Sequence, residues 1–417
     1  MTGQAIERLL RDLGPRAVAA VARRYGDFVD AEDAVQEALL AAVSAWPAEG
    51  QPDNPLGWLV RVASRRVVEQ YRRDDARRRR EQIVASWSLA RPDSPSGGDD
   101  TLILMFMCCH PALSPAAAIP LALRAVAGLT TREIATAFLV PEPTMAQRIT
   151  RAKATLKAAH APMTMPSPTA FEERLGPVLH VLYLLFNEGH ATSGGSELTR
   201  ADLSGEAIRL CRGIHNELPE DPEVTGLLAL MLLTDARRHA RTTASGDVIP
   251  LADQDRTRWD RTLITEGVAL ITSALRQGRI GQYQAQAAIA AVHDQAPRYE
   301  DTNWVELLAL YTLLDKMTNN PMVTLNRAIA TGMTHGPEAG LAILDQLGEQ
   351  LGDHHRFHST RGYLLELSGD ETAAADEFRA AAAGTMNLRE RHYLTTKAAC
   401  LTRSEEQRRP GDTQDDR

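Results

Sequence analysis

An all-α fold is predicted for this chain of 417 residues: two small helical bundles followed by an array of helical repeats. Three observations carry the prediction. Apolar residues recur at helical spacing while β-branched alternation is scarce, Ala and Leu are abundant and aromatics make up only 5%. Proline, glycine and capping residues punctuate the first part into short helical units. The last part repeats itself with a period of 34 residues. The length suggests two or three domains rather than one bundle.

The first clear helix opens at Asp30-Ala31-Glu32-Asp33-Ala34-Val35-Gln36-Glu37-Ala38-Leu39-Leu40, apolar on one side and acidic on the outer face. Trp46 follows, and a break from Pro47 to Pro55 separates it from a second helix, Leu56 to Arg73. Positions 61–80 hold nine arginines against Glu69, Asp74 and Asp75. A core stripe of Leu59, Val62, Ala63 and Val67 leaves an arginine-rich outer face, the footprint of a surface that neutralises phosphate. A charge run alone is as readily a solvated helix. The order of acidic helix, Trp-containing turn and basic helix is what favours the phosphate reading.

The polar stretch 81–100, ending Ser94-Pro95-Ser96-Gly97-Gly98-Asp99-Asp100, reads as a linker. Beyond it, Thr130 and Glu133 have the S/T-x-x-E spacing of a capping box, and Pro141 and Pro143 break and restart the helical pattern. Met145, Ile149, Ala152 and Leu156 form a buried stripe on the restarted helix, which turns Thr144, Gln147, Arg148 and Arg151 outward. The unit is a helix-turn-helix, and those outward residue types read base edges and phosphates in a major groove. Cys108-Cys109-His110 lacks the C-x-x-C spacing of zinc sites and reads as core.

With both elements in place, residues 5–160 resemble a bacterial RNA polymerase sigma factor of the sigma-70 family, in the extracytoplasmic-function group that keeps only regions two and four. The resemblance implies region two at 5–80 and region four at 101–160. It implies that Asp30, Glu32, Asp33, Gln36 and Glu37 sit on the helix that docks on the polymerase clamp. It implies that Trp58 through Arg73, with Trp58, Arg61, Arg65, Arg66, Arg72 and Arg73 as DNA contacts, recognise and open the downstream promoter element. Thr144, Gln147, Arg148 and Arg151 would read the upstream element. Similar factors often carry Asn at the position of Arg65 and Asp at that of Glu69, so the downstream preference departs from the family pattern. The partners implied are core RNA polymerase and promoter DNA. Capture of unstacked bases needs a basic groove and aromatic faces. Trp46, Trp58 and Tyr71 are the aromatic candidates; Trp46 reads as core, and Trp58 is open between core and base stacking.

The remainder begins with a second linker, 161–170, and a helical connecting segment, 171–281, in which Leu179 to His190 is an apolar helix. Asn187-Glu188-Gly189-His190 ends that helix and reads as a glycine-terminated cap. Residues 282–402 carry the repeat: Ala328 aligns with Gly362, Gly340 with Ala374, Leu344 with Phe378 and Leu347 with Ala381. Small and aromatic residues at those places suit tetratricopeptide-like hairpins, and a pair at about 282–316, with Trp304, Leu307, Leu308 and Tyr311, makes a third unit. The family resemblance extends to the sigma subgroup with such an extension. Residues 403–417 read as a disordered tail. His354, His355 and His358 have a metal-ligand spacing but no third ligand, so they read as solvated or capping.

Charge divides the chain. Residues 1–160 hold 21 Lys and Arg against 18 Asp and Glu, whereas 161–417 hold 25 against 36. Nucleic-acid contact therefore belongs to the first part, and the acidic second part suits protein contact, including with a small regulatory protein. No apolar run is long enough for a membrane span, the start lacks a signal-peptide layout, and four cysteines make no disulfide framework, so a cytoplasmic protein is expected. No catalytic residue, cofactor or metal is expected. An ordinary helix-turn-helix regulator with a repeat-type sensor would leave the acidic and arginine-rich helices unexplained. A metal enzyme built on His354 would explain least.

Overall fold

The structure is a computed structural model, and it describes residues 3–78, 100–138, 140–159, 166–190, 201–278 and 280–408. Every regular element among them is helical, apart from an isolated antiparallel bridge between Thr242 and Val248. The chain divides into two compact units, Met1–Leu185 and Phe186–Arg417.

In the first unit, α1 (Gly3–Tyr25), α2 (Phe28–Glu49) and α3 (Pro55–Arg78) pack as a three-helix bundle. Its core holds mostly small and β-branched residues, Ala17, Val21, Val35, Ala38, Ala63 and Val67, together with Leu59 and Trp46. Asp27 caps α2, accepting from Asp30 N–H. The helix runs through Pro47 to Glu49 and stops at Gly50 (φ 87°), whose N–H reaches Trp46 O, so the expected break at Pro47 narrows to a short turn before Pro55.

Four short helices follow: α4 (Asp100–Cys108), α5 (Pro115–Ala125), α6 (Thr131–Ala137) and α7 (Glu142–Ala158). The Thr130 capping box is formed in both directions: Glu133 Oε2 accepts from Thr130 N–H at 2.7 Å, and Thr130 Oγ1 accepts from Glu133 N–H at 3.2 Å. Gly128 turns the chain between α5 and α6 at φ +64°, where a Cβ would lie 3.0 Å from Arg11 O. Met145, Ile149, Ala152 and Leu156 are the buried stripe of α7. Cys108 and Cys109 are buried core residues, and burial pushes the Cys109 thiol up to about 12, so neither is poised as a thiolate.

A long helix, α8 (Pro168–His190), starts inside the expected second linker, whose residues 161–165 lie outside the described residues. The helix also runs through Gly189 rather than ending on it, which corrects the capping expectation. His190 is held by its surroundings instead: its ring stacks on Phe186 (5.5 Å) and its carbonyl accepts from Arg241 Nη1 at 2.6 Å.

In the second unit, α9 (Ala201–Glu217) packs on α10 (Pro222–Ala236), which shares a core with α11 (Arg261–Leu275) and α12 (Gln282–Gln295). There α10 is buried almost all round, and Leu233 fits against Gly267. The expected connecting segment is thus a packed helical layer. Next come α13 (Trp304–Thr318), α14 (Pro321–His335), α15 (Pro337–Leu351), α16 (His355–Ser368), α17 (Glu371–Gly384) and α18 (Leu388–Arg408). The repeat alignment is realised as two hairpins. A Cβ on Gly340 of α15 would lie 2.6 Å from Ala328 O of α14, and one on Gly362 of α16 would lie 3.2 Å from the Phe378 ring of α17. Phe378 in turn packs with Leu394, Ala398 and Leu401 of α18, joining one hairpin to the next helix. Because α18 continues to Arg408, the expected disordered tail is helical over 403–408; residues 409–417 lie outside the described residues.

Candidate nucleic-acid and polymerase interface

The functional candidates lie on three helices of the first unit. On α7 the reading is direct: Thr144, Gln147, Arg148 and Arg151 are all exposed, because the four-residue apolar stripe fixes the rotation of the helix. They present hydroxyl, amide and guanidinium groups along one side of a 17-residue helix, a set that can contact base edges and phosphates.

On α3, Arg61, Arg65, Arg66 and Arg72 are exposed, while Arg73 is placed on the helix and its side chain lies outside the described residues. Arg66 is committed in part: its Nε lies 3.2 Å from Glu37 and its Nη1 3.6 Å from Glu69. One residue expected to contact DNA is therefore paired with one expected to contact polymerase.

Beside this face runs a groove of about 770 Å³ between the end of α1, the turn before α3 and α3 itself. Arg61, Arg65 and Arg72 line it with Arg24, Tyr25, Asn54 and Ser64. The groove offers cations along its length, and the Arg24 guanidinium lies 5.6 Å from the Tyr25 ring. Ser64 Oγ, in the wall, has no hydrogen-bond partner among the described residues. Arginines beside an aromatic ring and small polar groups suit a single strand with unstacked bases. Arg24, Tyr25 and Asn54 escaped the sequence reading; the paired Arg23-Arg24 before Tyr25 was the available signal.

The aromatic candidates separate. Trp46 is core, 3% exposed, and Trp58 stands edge-on to it at 5.6 Å while remaining partly exposed. Tyr71 lies near the start of α2 and is partly exposed; its phenol is raised by burial and by the nearby Asp30 and Asp27 carboxylates, so it stays neutral.

The α2 candidates depart most from expectation. Asp33 and Glu37 are exposed and Gln36 is partly so, but Asp30 and Glu32 are 8% and 2% exposed and do not lie on an open acidic face. Lys153 of α7 contacts Glu32 and lies 3.1 Å from Asp33 Oδ1. Arg124 of α5 lies 3.4 Å from the other Glu32 oxygen. Lys157 donates to Asp30 Oδ1 at 2.8 Å and lies 3.6 Å from Asp27, and the Asp30 bond holds its ammonium above the usual lysine range. Burying carboxylates without such partners would be prohibitive, so the cations are what allows α2 to turn these two inward. Further along α2, Leu40 and Val43 are 70% and 48% exposed, continuing the outward line from Gln36 at i+4 and i+7. They border a cleft of about 320 Å³ against α1. Helical spacing alone does not distinguish such apolar residues from core positions.

His354 caps α16, accepting from Arg356 N–H, and His358 Nδ1 lies 2.7 Å from Glu377, so both have structural partners. Among the described residues no cluster of three or more His, Cys, Asp or Glu side chains could hold a metal, and no helix is long and apolar enough to cross a membrane.

A three-helix bundle with an arginine-lined groove, followed by a helix-turn-helix with an exposed polar face, is the architecture of a DNA-binding protein. Residues 9–78 match the family described as Sigma-70 region 2, and residues 103–156 match Sigma-70, region 4. Residues 174–275 match a family of unknown function, DUF6596. The chain belongs to the sigma-70 family of RNA polymerase sigma factors, in the extracytoplasmic-function group, with a C-terminal helical extension. It is 42% identical over 401 residues to the Uncharacterized protein R00370 of Rhizobium meliloti (strain 1021), covering 93% of this chain and 94% of that protein. It is 31% identical over 138 residues to the Probable ECF RNA polymerase sigma factor SigI of Mycobacterium tuberculosis (strain ATCC 25618 / H37Rv), 31% of this chain and 47% of that protein. No solved structure gives a significant match.

Proposed function

We propose that this sigma factor brings core RNA polymerase to its promoters by docking through α2, captures the opened strand in the α3 groove and reads the upstream element with α7. The observation that carries the assignment is the pairing, in one compact unit, of an arginine groove with a separately exposed recognition face. Polymerase docking is assigned to Asp33, Gln36 and Glu37, with Asp30 and Glu32 after rearrangement, and to the adjoining Leu40 and Val43. Strand capture is assigned to Trp58, Arg61, Arg65, Arg66, Arg72 and Arg73, joined by Arg24 and Tyr25. The chemistry is one of binding: phosphate neutralisation releases counterions, and bases leaving the stack gain an aromatic or guanidinium face.

The second unit is proposed to modulate this activity. Its acidic balance and its stacked hairpins suit contact with the sigma unit, with polymerase or with a small regulatory protein.

Run-off transcription with purified core polymerase, on DNA taken from upstream of the gene for this chain, tests the assignment. A discrete transcript that disappears when Arg148 and Arg151 are both changed to Ala is the expected result. DNA binding by the chain alone, without polymerase binding or transcript, would instead make it an ordinary helix-turn-helix regulator. A chain ending at residue 190 that transcribes as well as the full chain would remove the modulating role of the second unit.

A further inference from the structure

In the second unit, buried polar atoms without a partner gather where segment 256–260 docks on α10. Asp260 N–H donates to Ala236 O at 2.9 Å, which brings Arg256 and Trp259 to Arg237 and to the end of α12. Asp294 of α12 is fully buried, and neither of its oxygens is hydrogen-bonded among the described residues; Arg237 Nε lies 3.5 Å from Oδ1. Beside it, His293 Nδ1, Arg256 Nη2 and Trp259 Nε1 are buried and equally unpartnered. Native interiors rarely tolerate such a cluster, because each unpaired group forfeits its hydration. Arg256 is fixed from three directions. Its Nη1 donates to His293 O and Ala296 O, both at 2.7 Å, and its guanidinium carbon lies 4.5 Å from the centre of the Trp259 ring, which leaves Nη2 oriented and unused.

Charge is out of balance in the same place. Arg237, Arg241 and Arg256 act on one another and on Asp294, while Glu300, the other acid acting on Arg256, is exposed. Burial, with Arg237 beside it, holds the Arg241 guanidinium down to about 10, and burial pushes the Asp294 carboxyl up to about 6, so both lack the solvation their charges need. Buried water satisfies single polar atoms but brings no charge. An anion supplies acceptors for Arg256 Nη2 and Trp259 Nε1, and a hydroxyl on the same molecule supplies the donor that Asp294 lacks. We propose that Arg237, Arg256, Trp259, His293 and Asp294 form a binding site for a small hydroxylated anion, a hydroxycarboxylate or a phosphate ester. Arg237 and Arg241, only partly buried, give the site its open side. The site stands apart from the promoter-reading and polymerase-docking assignments, which belong to the first unit.

Isothermal titration of the full chain with four probes tests this: glycerate, glycerol 3-phosphate, glycerol and acetate. Glycerol carries the hydroxyls without the charge, and acetate the charge without a hydroxyl. The expected result is one saturable site per chain for glycerate or glycerol 3-phosphate, at least about tenfold tighter than for glycerol or acetate. Which of the two binds more tightly tells a carboxylate ligand from a phosphate one. Asp294→Asn, nearly isosteric, should weaken that binding about tenfold. Arg237→Gln should do the same, and its partly exposed side chain makes it the variant to use if circular dichroism shows Asp294→Asn to be unfolded. Silence from all four probes, or equal binding of all four, overturns the proposal and leaves the cluster to buried water. Unchanged affinity in the folded variants puts the binding elsewhere and overturns it as well. The titration contains neither polymerase nor DNA, so its failure leaves the sigma-factor assignment standing.

Discussion

Lys153 of α7 and Glu32 of α2 are 121 positions apart in sequence and form an ion pair with Glu32 almost fully buried. Changing Glu32 to Ala would leave Lys153, itself 16% exposed, and Arg124 short of a countercharge. Removing one member of such a buried pair costs about 3 kcal/mol. The expected outcome is faster amide hydrogen exchange in the last turns of α7, with the Met145–Ile149 portion less affected.

The two tryptophans of region two should respond differently. Trp46→Ala empties a core position, and a loss of about 3 to 5 kcal/mol in thermal or denaturant unfolding is expected. Trp58→Ala, at a partly exposed ring, should cost about a third of that and instead reduce strand opening, measured by permanganate reactivity of promoter thymines.

Upstream reading and phosphate contact are separable by salt. Arg148→Ala with Arg151→Ala should weaken promoter binding by the holoenzyme and lower the slope of log K against log salt by up to about two. Core polymerase binding in the absence of DNA should be unchanged, and a filter-binding or anisotropy titration checks both.

Glycines of the repeat array differ in what surrounds them. Gly340→Ala places a Cβ 2.6 Å from Ala328 O and should destabilise the second unit by about 1 to 3 kcal/mol as the hairpin is forced apart. Gly348→Ala, in the same helix with nothing within 4 Å, should stabilise by about 0.5 to 1 kcal/mol. Calorimetry of the two variants gives opposite signs if the hairpin packing is right.

His190 is held neutral. Burial, then Arg241, Arg237 and Arg238, push its imidazole down to about 2. Its unfolded value is the ordinary 6.5, so the unfolded chain binds a proton that the native one does not as pH falls below 6.5. Stability is therefore complete above that pH and is lost progressively toward pH 2. Between pH 6.5 and 5 the loss is about 2 kcal/mol. Asp294, raised to about 6 mainly by burial, acts in the opposite sense between 6 and its unfolded 3.8. His190→Phe should flatten the acid side of a Tm-versus-pH profile, with Asp294 unaltered.

The sequence by itself determined the helices, the capping box, the rotation of α7 and the small-residue contacts of the hairpins. Each depends on residues a few positions apart or on one repeat period: Thr130 with Glu133, Met145 with Ile149, Gly340 aligned with Ala374. Periodicity and capping are local physics, so they are legible without coordinates. Only the tertiary structure decided which charged residues remain outside. By sequence Asp30 and Glu32 share the acidic outer face of α2 with Asp33 and Glu37; Lys157, Lys153 and Arg124, from elements more than ninety residues away, are what allows them to be buried. The same holds for Arg24 and Tyr25, which line the arginine groove because α1 ends beside α3, and for Gly189, which stays helical within α8. Burial of a charge depends on partners that sequence spacing does not reveal, so the charged helices were legible in the sequence while the ion pairs that cover them were not.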